Sequence, residues 1–274
     1  MDVNQFKSRC LDIRKDVMEM VRHGQRGHIA PAFSIVEMLV VLYEHVMKLR
    51  PEDPQWPDRD RFILSKGHGC MSLYAVLARN GFFSRDHYRT FCAPGGILGG
   101  HPEEKVPGVE APTGSLGHGL AIAVGFALNA RLDGRSYRSF VVLGDGECNE
   151  GSVWEAALAA NKHGLDNLVV LVDYNKYMSF GPTAEVCDME PFAQKWQAFG
   201  FATREVDMVV EPEALADLLQ SLPIEPGKPT AVICHTIKGR GAPFMENNLA
   251  WHHKSKIGED EIDSIVAALE RHHA

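Results

Sequence analysis

Two short apolar runs, Phe140-Val141-Val142-Leu143 and Leu168-Val169-Val170-Leu171-Val172, constrain this chain more than any other feature. Neither alternates apolar with polar residues, so each reads as a strand buried on both faces of a parallel sheet. A helical pattern at 152–163 lies between them, with Gly164 placed as its C-terminal cap. Strand, helix and strand at this spacing form a right-handed crossover, which brings both strand ends out at the same sheet edge. The loops after the two strands are therefore the informative segments. The first run leads into Gly144-Asp145-Gly146-Glu147-Cys148-Asn149-Glu150-Gly151 and the second into Asp173-Tyr174-Asn175-Lys176.

The remaining pattern extends the same architecture. Apolar residues Phe6, Cys10, Ile13, Val17, Met20 and Val21 recur at helical spacing over 4–22. Ser34-x-x-Glu37 has the form of a capping box opening a helix over 35–47. A short strand is expected at 61–64, a helix near 72–79 and another at 119–132. Strands at 201–206 and 230–235 bracket a helix at 213–222, and 259–272 closes the chain as a helix. The Gly- and Pro-rich stretch 95–119 is too long to be a simple connection, and such segments are usually functional. The expected fold class is α/β, a parallel sheet with helices on both faces, forming one domain over 1–274.

Composition narrows the function classes. Forty-five per cent hydrophobic and 23% charged residues in 274 are ordinary for a globular chain and exclude a disordered or fibrous one. Thirty-six acidic against 28 basic residues give a net charge of −8, a poor match to nucleic acid or an anionic membrane. No run approaches the roughly 20 apolar residues that span a bilayer, and the first residues do not read as a secretory signal. Six scattered cysteines without a Cys-x-x-Cys pair suggest free thiols in a reducing, cytoplasmic setting.

Asp145 and Asn175 both follow strands of the crossover and can meet at the ligand-binding edge of the sheet. A carboxylate, an amide oxygen and a nearby backbone carbonyl are hard donors that suit Mg²⁺ or Ca²⁺, with a ligand's phosphates completing the shell. The glycines beside Asp145 let backbone approach a diphosphate closely. A metal bridge explains how an acidic chain could hold such a group.

Through these residues and the motifs around them, the chain resembles the thiamine-diphosphate-binding, N-terminal half of transketolases. It is most similar to the two-chain type, in which that half is a separate polypeptide. The likeness runs in order along nearly the whole chain. It is carried by Gly27-His28, Asp60-Arg61-Phe62-Ile63-Leu64-Ser65-Lys66-Gly67-His68, Gly100-His101-Pro102, Thr113-Gly114-Ser115-Leu116-Gly117, Gly144-Asp145-Gly146 through Asn175, His235-Thr236-Ile237-Lys238-Gly239-Arg240-Gly241, and Glu246-Asn247-Asn248-Leu249-Ala250-Trp251-His252.

The resemblance implies a set of roles. Thiamine diphosphate and Mg²⁺ (or Ca²⁺) would be the cofactors, the metal taking Asp145, Asn175 and the Tyr177 carbonyl. Gly114, Ser115, Leu116, Gly146, Glu147, His68 and His252 would lie against the cofactor, with Asn175. His28, His68, His101 and His252 would line the substrate channel, and Glu150 and Glu155 would join a proton network at a subunit interface. Ser152-x-x-Glu155 also has the form of a capping box, so Glu155 has a second, purely structural reading. Lys66 either offers charge to phosphate or is simply solvated. His45, His87, His163, His272 and His273 read as surface residues. The reaction implied is transfer of a two-carbon ketol unit from a ketose donor to an aldose acceptor. The glutamate that activates the cofactor belongs to a second, C-terminal subunit, so a heterotetramer of two of each chain is expected, acting on a small-molecule sugar.

The chain departs from the pattern at His118, where Gln is usual, and at Cys148-Asn149. It departs again at Ser179 and Phe180, where a branched apolar residue and Asp are usual. These changes leave the proposed metal ligands intact but alter the pocket around the reacting carbon. A specialised ketol or acyl transfer is one alternative, and the alpha chain of a 2-oxo acid dehydrogenase first component is another. A nucleotide-binding doubly wound domain and a non-catalytic binding subunit rank lower, the former because no Gly-x-Gly-x-x-Gly follows the first strand.

Overall fold

The computed structural model describes residues 2–273. Its elements run in order α1 (Val3–Gly24), α2 (Ile29–Phe33), α3 (Val36–Val41), β1 (Arg61–Leu64), α4 (Cys70–Arg79), α5 (Gly119–Leu132), β2 (Ser139–Gly144), α6 (Gly151–Lys162), β3 (Leu168–Tyr174), α7 (Thr183–Val186), α8 (Phe192–Ala198), β4 (Ala202–Asp207), α9 (Glu213–Gln220), β5 (Thr230–His235) and α10 (Glu259–His273). The five strands are all parallel, in the order β1-β2-β3-β5-β4.

The strands explain their own continuous apolar character. Phe140, Val142, Val169, Leu171 and Val232 face one core with α1 to α4, α9 and α10, while Val141, Leu143, Val170, Val172 and Ile233 face a second core with α5, α6 and α8. Successive side chains point to opposite faces, so a strand covered on both sides needs apolar residues at every position. Helix α5 meets the sheet through Leu120, Ala123, Val124, Ala127 and Ala130, small enough for close helix-to-strand approach. Among the described residues no helix is long and apolar enough to cross a membrane.

Two local expectations are corrected. The segment 35–47 is not one helix opened by a capping box. It is α3, starting after a turn at Ser34 and Ile35, followed by a wider π-type turn over Leu42–Val46. The Ser34 hydroxyl donates to Asp173 at 2.7 Å and lies 3.1 Å from the Pro31 carbonyl, and Glu37 receives both bonds from the buried Arg14 guanidinium at 2.9 Å. Nor does Ser152 cap α6. The helix starts one residue earlier, and the Ser152 hydroxyl donates instead to the Gly117 carbonyl at 2.9 Å. In both places a tertiary partner takes the hydroxyl from the local cap: at Ser34 the buried Asp173 carboxylate, and at Ser152 the Gly117 carbonyl.

Candidate functional site

The register between β2 and β3 pairs Gly144 with Asp173, which puts Asp145 and Asn175 just beyond neighbouring strand ends. The Asp145 N–H bonds the Asp173 carbonyl at 3.3 Å, and the Asp145 carboxylate accepts from the Gly146 and Lys176 N–H groups. Asn175 accepts at its side-chain oxygen from the Tyr177 N–H (3.0 Å) and donates its amide to Asp173 (2.8 Å). Each of these oxygens retains lone-pair capacity after its internal bond. Burial, reinforced by nearby Asp173, pushes the Asp145 carboxyl up to about 7. A buried carboxyl that forms no ion pair among the described residues is what a divalent cation would neutralise.

These groups open into a cavity of about 260 Å³ lined by His28, Pro31, Lys66, His68, His101, Gly114, Leu116, Gly144, Asp145, Gly146, Glu147, Asn175, Tyr177, Met178, Ser179, Lys238 and His252. A neighbouring cavity of about 430 Å³ shares its His28, His68 and His101 wall. The glycines have a steric reason. A Cβ on Gly146 would stand 2.8 Å from Met178 Cγ, and one on Gly114, at φ +152°, 3.1 Å from the His101 ring.

Four histidines singled out in the sequence gather here. The His28 ring lies 5.3 Å from His68, 6.0 Å from His101 and 5.6 Å from His252, and His68 lies 5.7 Å from His252. His253 is a fifth member, 4.5 Å from His28, and its only sequence signal was adjacency to His252. Burial, aided by the neighbouring imidazoles and lysines, pushes His28 down to about 4 and His252 to about 3, and lowers His68 and His101. His28, His68, His101 and His252 are therefore neutral imidazoles at pH 7. Each can donate one N–H and accept at the other nitrogen, the form suited to a polar sugar or a developing oxyanion. His252 Nδ1 is buried without a hydrogen-bond partner among the described residues, a polar atom that a ligand in the cavity would satisfy.

Lysines supply the positive charge. Lys66 is buried, not solvated, and its ammonium contacts Asp173, the Pro31 carbonyl and the Ser34 hydroxyl. Lys238, unassigned in the sequence, is also buried and donates to the Tyr177 and Met178 carbonyls at 3.0 and 2.9 Å. Burial and the nearby Lys66 charge pull it down to about 8. Burial alone would raise Asp173, but the Lys66 ammonium overrides it and holds that carboxyl below its ordinary value.

Glu147 has a different place from a simple ligand. Its carboxylate accepts from the Ser65 hydroxyl, from Gly117 N–H (2.9 Å) and from Gly144 N–H (3.0 Å), bracing three loops beneath the cavity. Ser115 is exposed and lies outside the cavity wall, while its neighbours Gly114 and Leu116 line it. Glu150 and Glu155 are exposed and outside both cavities. His45, His163 and His272 are exposed and His87 half-buried, while the His273 side chain lies outside the described residues. His118 is exposed, with its ring bonded to the Leu116 carbonyl at 2.9 Å.

Comparison with known proteins places this geometry. The family model for the transketolase thiamine diphosphate binding domain matches residues 7–272. The chain is 40% identical over 271 residues to one subunit of the apulose-4-phosphate transketolase of Phocaeicola vulgatus, covering 99% of this chain and 96% of that one. It is 40% identical over 260 residues to a 6-deoxy-6-sulfo-D-fructose transketolase subunit, SqwG, of Clostridium sp. strain MSTE9, covering 94% of each. Among solved structures, transketolase from Campylobacter jejuni superposes with TM-score 0.91 at 28% identity over 99% of this chain. That from Leishmania mexicana gives 0.87 at 31% over 98%. The chain spans only 43% and 44% of those two longer chains. With a family model over almost its full length and relatives at 40% identity that are themselves named as transketolase subunits, the chain belongs to the transketolase family and carries its thiamine-diphosphate-binding domain.

Proposed function

We propose that the protein is one domain over 1–274 and the N-terminal subunit of a split transketolase, transferring a two-carbon ketol unit from a ketose donor to an aldose acceptor. The observation that carries this is the joint arrangement of Asp145 and Asn175 at adjacent strand ends with four neutral histidines around one cavity. The residues fit the cofactor pair. Asp145, Asn175 and the Tyr177 carbonyl offer three hard oxygens to Mg²⁺ (or Ca²⁺), and Lys66 and Lys238 bring two buried ammonium groups to the same cavity. Among the described residues no cluster of three or more His, Cys, Asp or Glu stands ready for a metal, as expected for a cation whose other ligands are amide, carbonyl and phosphate oxygens.

Thiamine diphosphate, when bound, supplies the nucleophilic carbon and the electron sink for the reaction. The chain's own contributions are binding and orientation. Gly114 and Gly146 give it a surface without side-chain obstruction, and Leu116 adds an apolar wall beside them. His252 Nδ1 offers an unsatisfied buried polar atom. Neutral His28, His68 and His101 line both cavities and present N–H donors to sugar oxygens without adding charge that would attract bulk anions. Glu147 keeps the three supporting loops in register.

A partner completes the site. Phe180 is 84% exposed beside Ser179, which lines the cavity, so an apolar side chain stands at the rim without cover. The relatives of matching length, themselves named as transketolase subunits, support a second polypeptide. We assign it the activating glutamate and an assembly of two of each chain, with Glu150 and Glu155 at the contact. Four buried free thiols among six cysteines support a reducing, cytoplasmic setting. Apulose 4-phosphate and 6-deoxy-6-sulfofructose are the donors to screen first, since the relatives' names carry them. The test is ketol transfer by this chain mixed with a C-terminal-type subunit. Product with both subunits and none with either alone supports the reading, and lipoamide-linked decarboxylation or no turnover on any ketose contradicts it.

A further inference from the structure

Asp173 is the last residue but one of β3, is bonded to the cavity-lining Asn175, and is fully buried. Its two carboxylate oxygens gather donors from four separate segments. One oxygen accepts from the Thr236 hydroxyl beyond β5. The other accepts from the Lys66 ammonium beyond β1, from the Ser34 hydroxyl after α2 at 2.7 Å, and from the Asn175 amide at 2.8 Å. The last bond decides something the others do not. An asparagine side chain can present either its oxygen or its NH₂ in a given direction. A carboxylate accepts and never donates, so it holds the NH₂ inward, and the Asn175 oxygen is left on the side of the Tyr177 N–H, which it accepts at 3.0 Å. Flipping the amide would set an oxygen against the Asp173 carboxylate and an NH₂ against an N–H, both repulsive.

We infer that Asp173 is a positioning residue for the cation site: it fixes the Asn175 amide so that the oxygen is the atom offered to a divalent cation. Lys66 is the buried ion-pair partner of Asp173 at this position. The inference rests on the reading of Asp145 and Asn175 as cation ligands and deepens it. Groups behind a metal ligand commonly change affinity 10- to 100-fold when removed, because they fix which atom the ligand presents. Replacing both members of a buried ion pair by apolar residues is often tolerated by the fold, whereas removing one leaves an unpaired charge.

The test uses the full chain, Mn²⁺ as the probe, and electron paramagnetic resonance titration in the presence of thiamine diphosphate, with and without the second subunit. The K66M/D173L pair removes the acceptor for the Asn175 amide and both charges. The K66M/D173N pair also removes the charges but keeps an acceptor oxygen for that amide. The expected result is Mn²⁺ binding about 10- to 100-fold weaker in K66M/D173L than in K66M/D173N, at matching circular dichroism spectra; both variants lack Lys66, so the difference between them isolates the acceptor for the Asn175 amide. Equal affinity in all three proteins overturns the inference, and so does an equal loss in both variants. A parent chain that binds no Mn²⁺ at all instead overturns the underlying reading of the ligands. Should K66M/D173L not fold, the parent decides by itself. Its Asn175 side-chain amide resonance, assigned by its absence in Asn175→Asp, should be protected from hydrogen exchange before any cation is added. Exchange at the free-amide rate overturns the inference.

Discussion

Glu147→Gln separates a brace from a ligand at the base of the cavity. The parent carboxylate is buried and accepts three bonds, with the Ser65 hydroxyl and the Gly117 N–H on one oxygen and the Gly144 N–H on the other. A glutamine keeps one oxygen and turns the other into an NH₂ that must face a donor. One charge-assisted bond is lost, at about 1.5–3 kcal/mol, and a buried N–H faces another N–H, at about 1–3 kcal/mol. A net loss of about 3 kcal/mol is expected, large against a total stability of about 5–15 kcal/mol. At about 2–4 °C per kcal/mol for a domain near this size, Tm should fall by about 6–12 °C. The assay is thermal unfolding followed by circular dichroism, run beside thiamine diphosphate titration. The brace predicts that stability and cofactor affinity fall together, because loops ending at Ser65, Gly117 and Gly144 all line or support the cavity. A variant with unchanged Tm and lost affinity would refute this reasoning and make Glu147 a direct ligand.

Three further outcomes rest on the same geometry. Gly117→Ala should cost about 1–3 kcal/mol, since φ is +82° and a Cβ would stand 2.6 Å from Ser152 Oγ, and chemical denaturation would read it as a lower midpoint. His252→Phe removes a buried, unpartnered nitrogen, so Tm should hold or rise while thiamine diphosphate affinity falls about tenfold, a pairing of effects that calorimetry beside thermal melts would show. His28 and His252 have folded-state pKa values of about 4 and 3, below the ordinary 6.5, so the unfolded chain binds protons that the native chain refuses. Their stabilising contribution is complete above pH 6.5 and is lost as pH falls through 4 and 3. Urea midpoints from pH 7.5 to 4.5 should decline, and the decline should be shallower in a His28→Gln/His252→Gln variant.

How much of this was legible in the sequence differs by residue. The strands were plain because burial on both faces demands apolar residues at consecutive positions, and the observed β1 and β5 match the expected spans. Asp145 and Asn175 could be placed because each follows a strand at the same sheet edge, whereas the four histidines came from the resemblance, His28, His68 and His101 beside glycines and His252 after Glu246-Asn247-Asn248-Leu249-Ala250-Trp251. Lys66 and Lys238 could not be placed. A buried ammonium depends on partners such as Asp173, or the Tyr177 and Met178 carbonyls, that lie about 60 to 110 residues away in sequence. The two capping boxes failed for the same reason. Ser34 and Ser152 have ordinary N-terminal signatures, but their hydroxyls are claimed by Asp173 and the Gly117 carbonyl, which no local pattern reveals. The role of Glu147 was hidden likewise, since the Ser65 and Gly117 donors come from distant loops.

The central claim is that this chain holds half of a shared thiamine diphosphate site. Calorimetric titration of thiamine diphosphate with Mg²⁺ into the chain, alone and with a C-terminal-type subunit, tests it most directly. The account predicts weak binding alone, tight binding with the second subunit, and loss of both in Asp145→Ala. No binding in either case, or an Asp145→Ala variant indistinguishable from the parent, would contradict it.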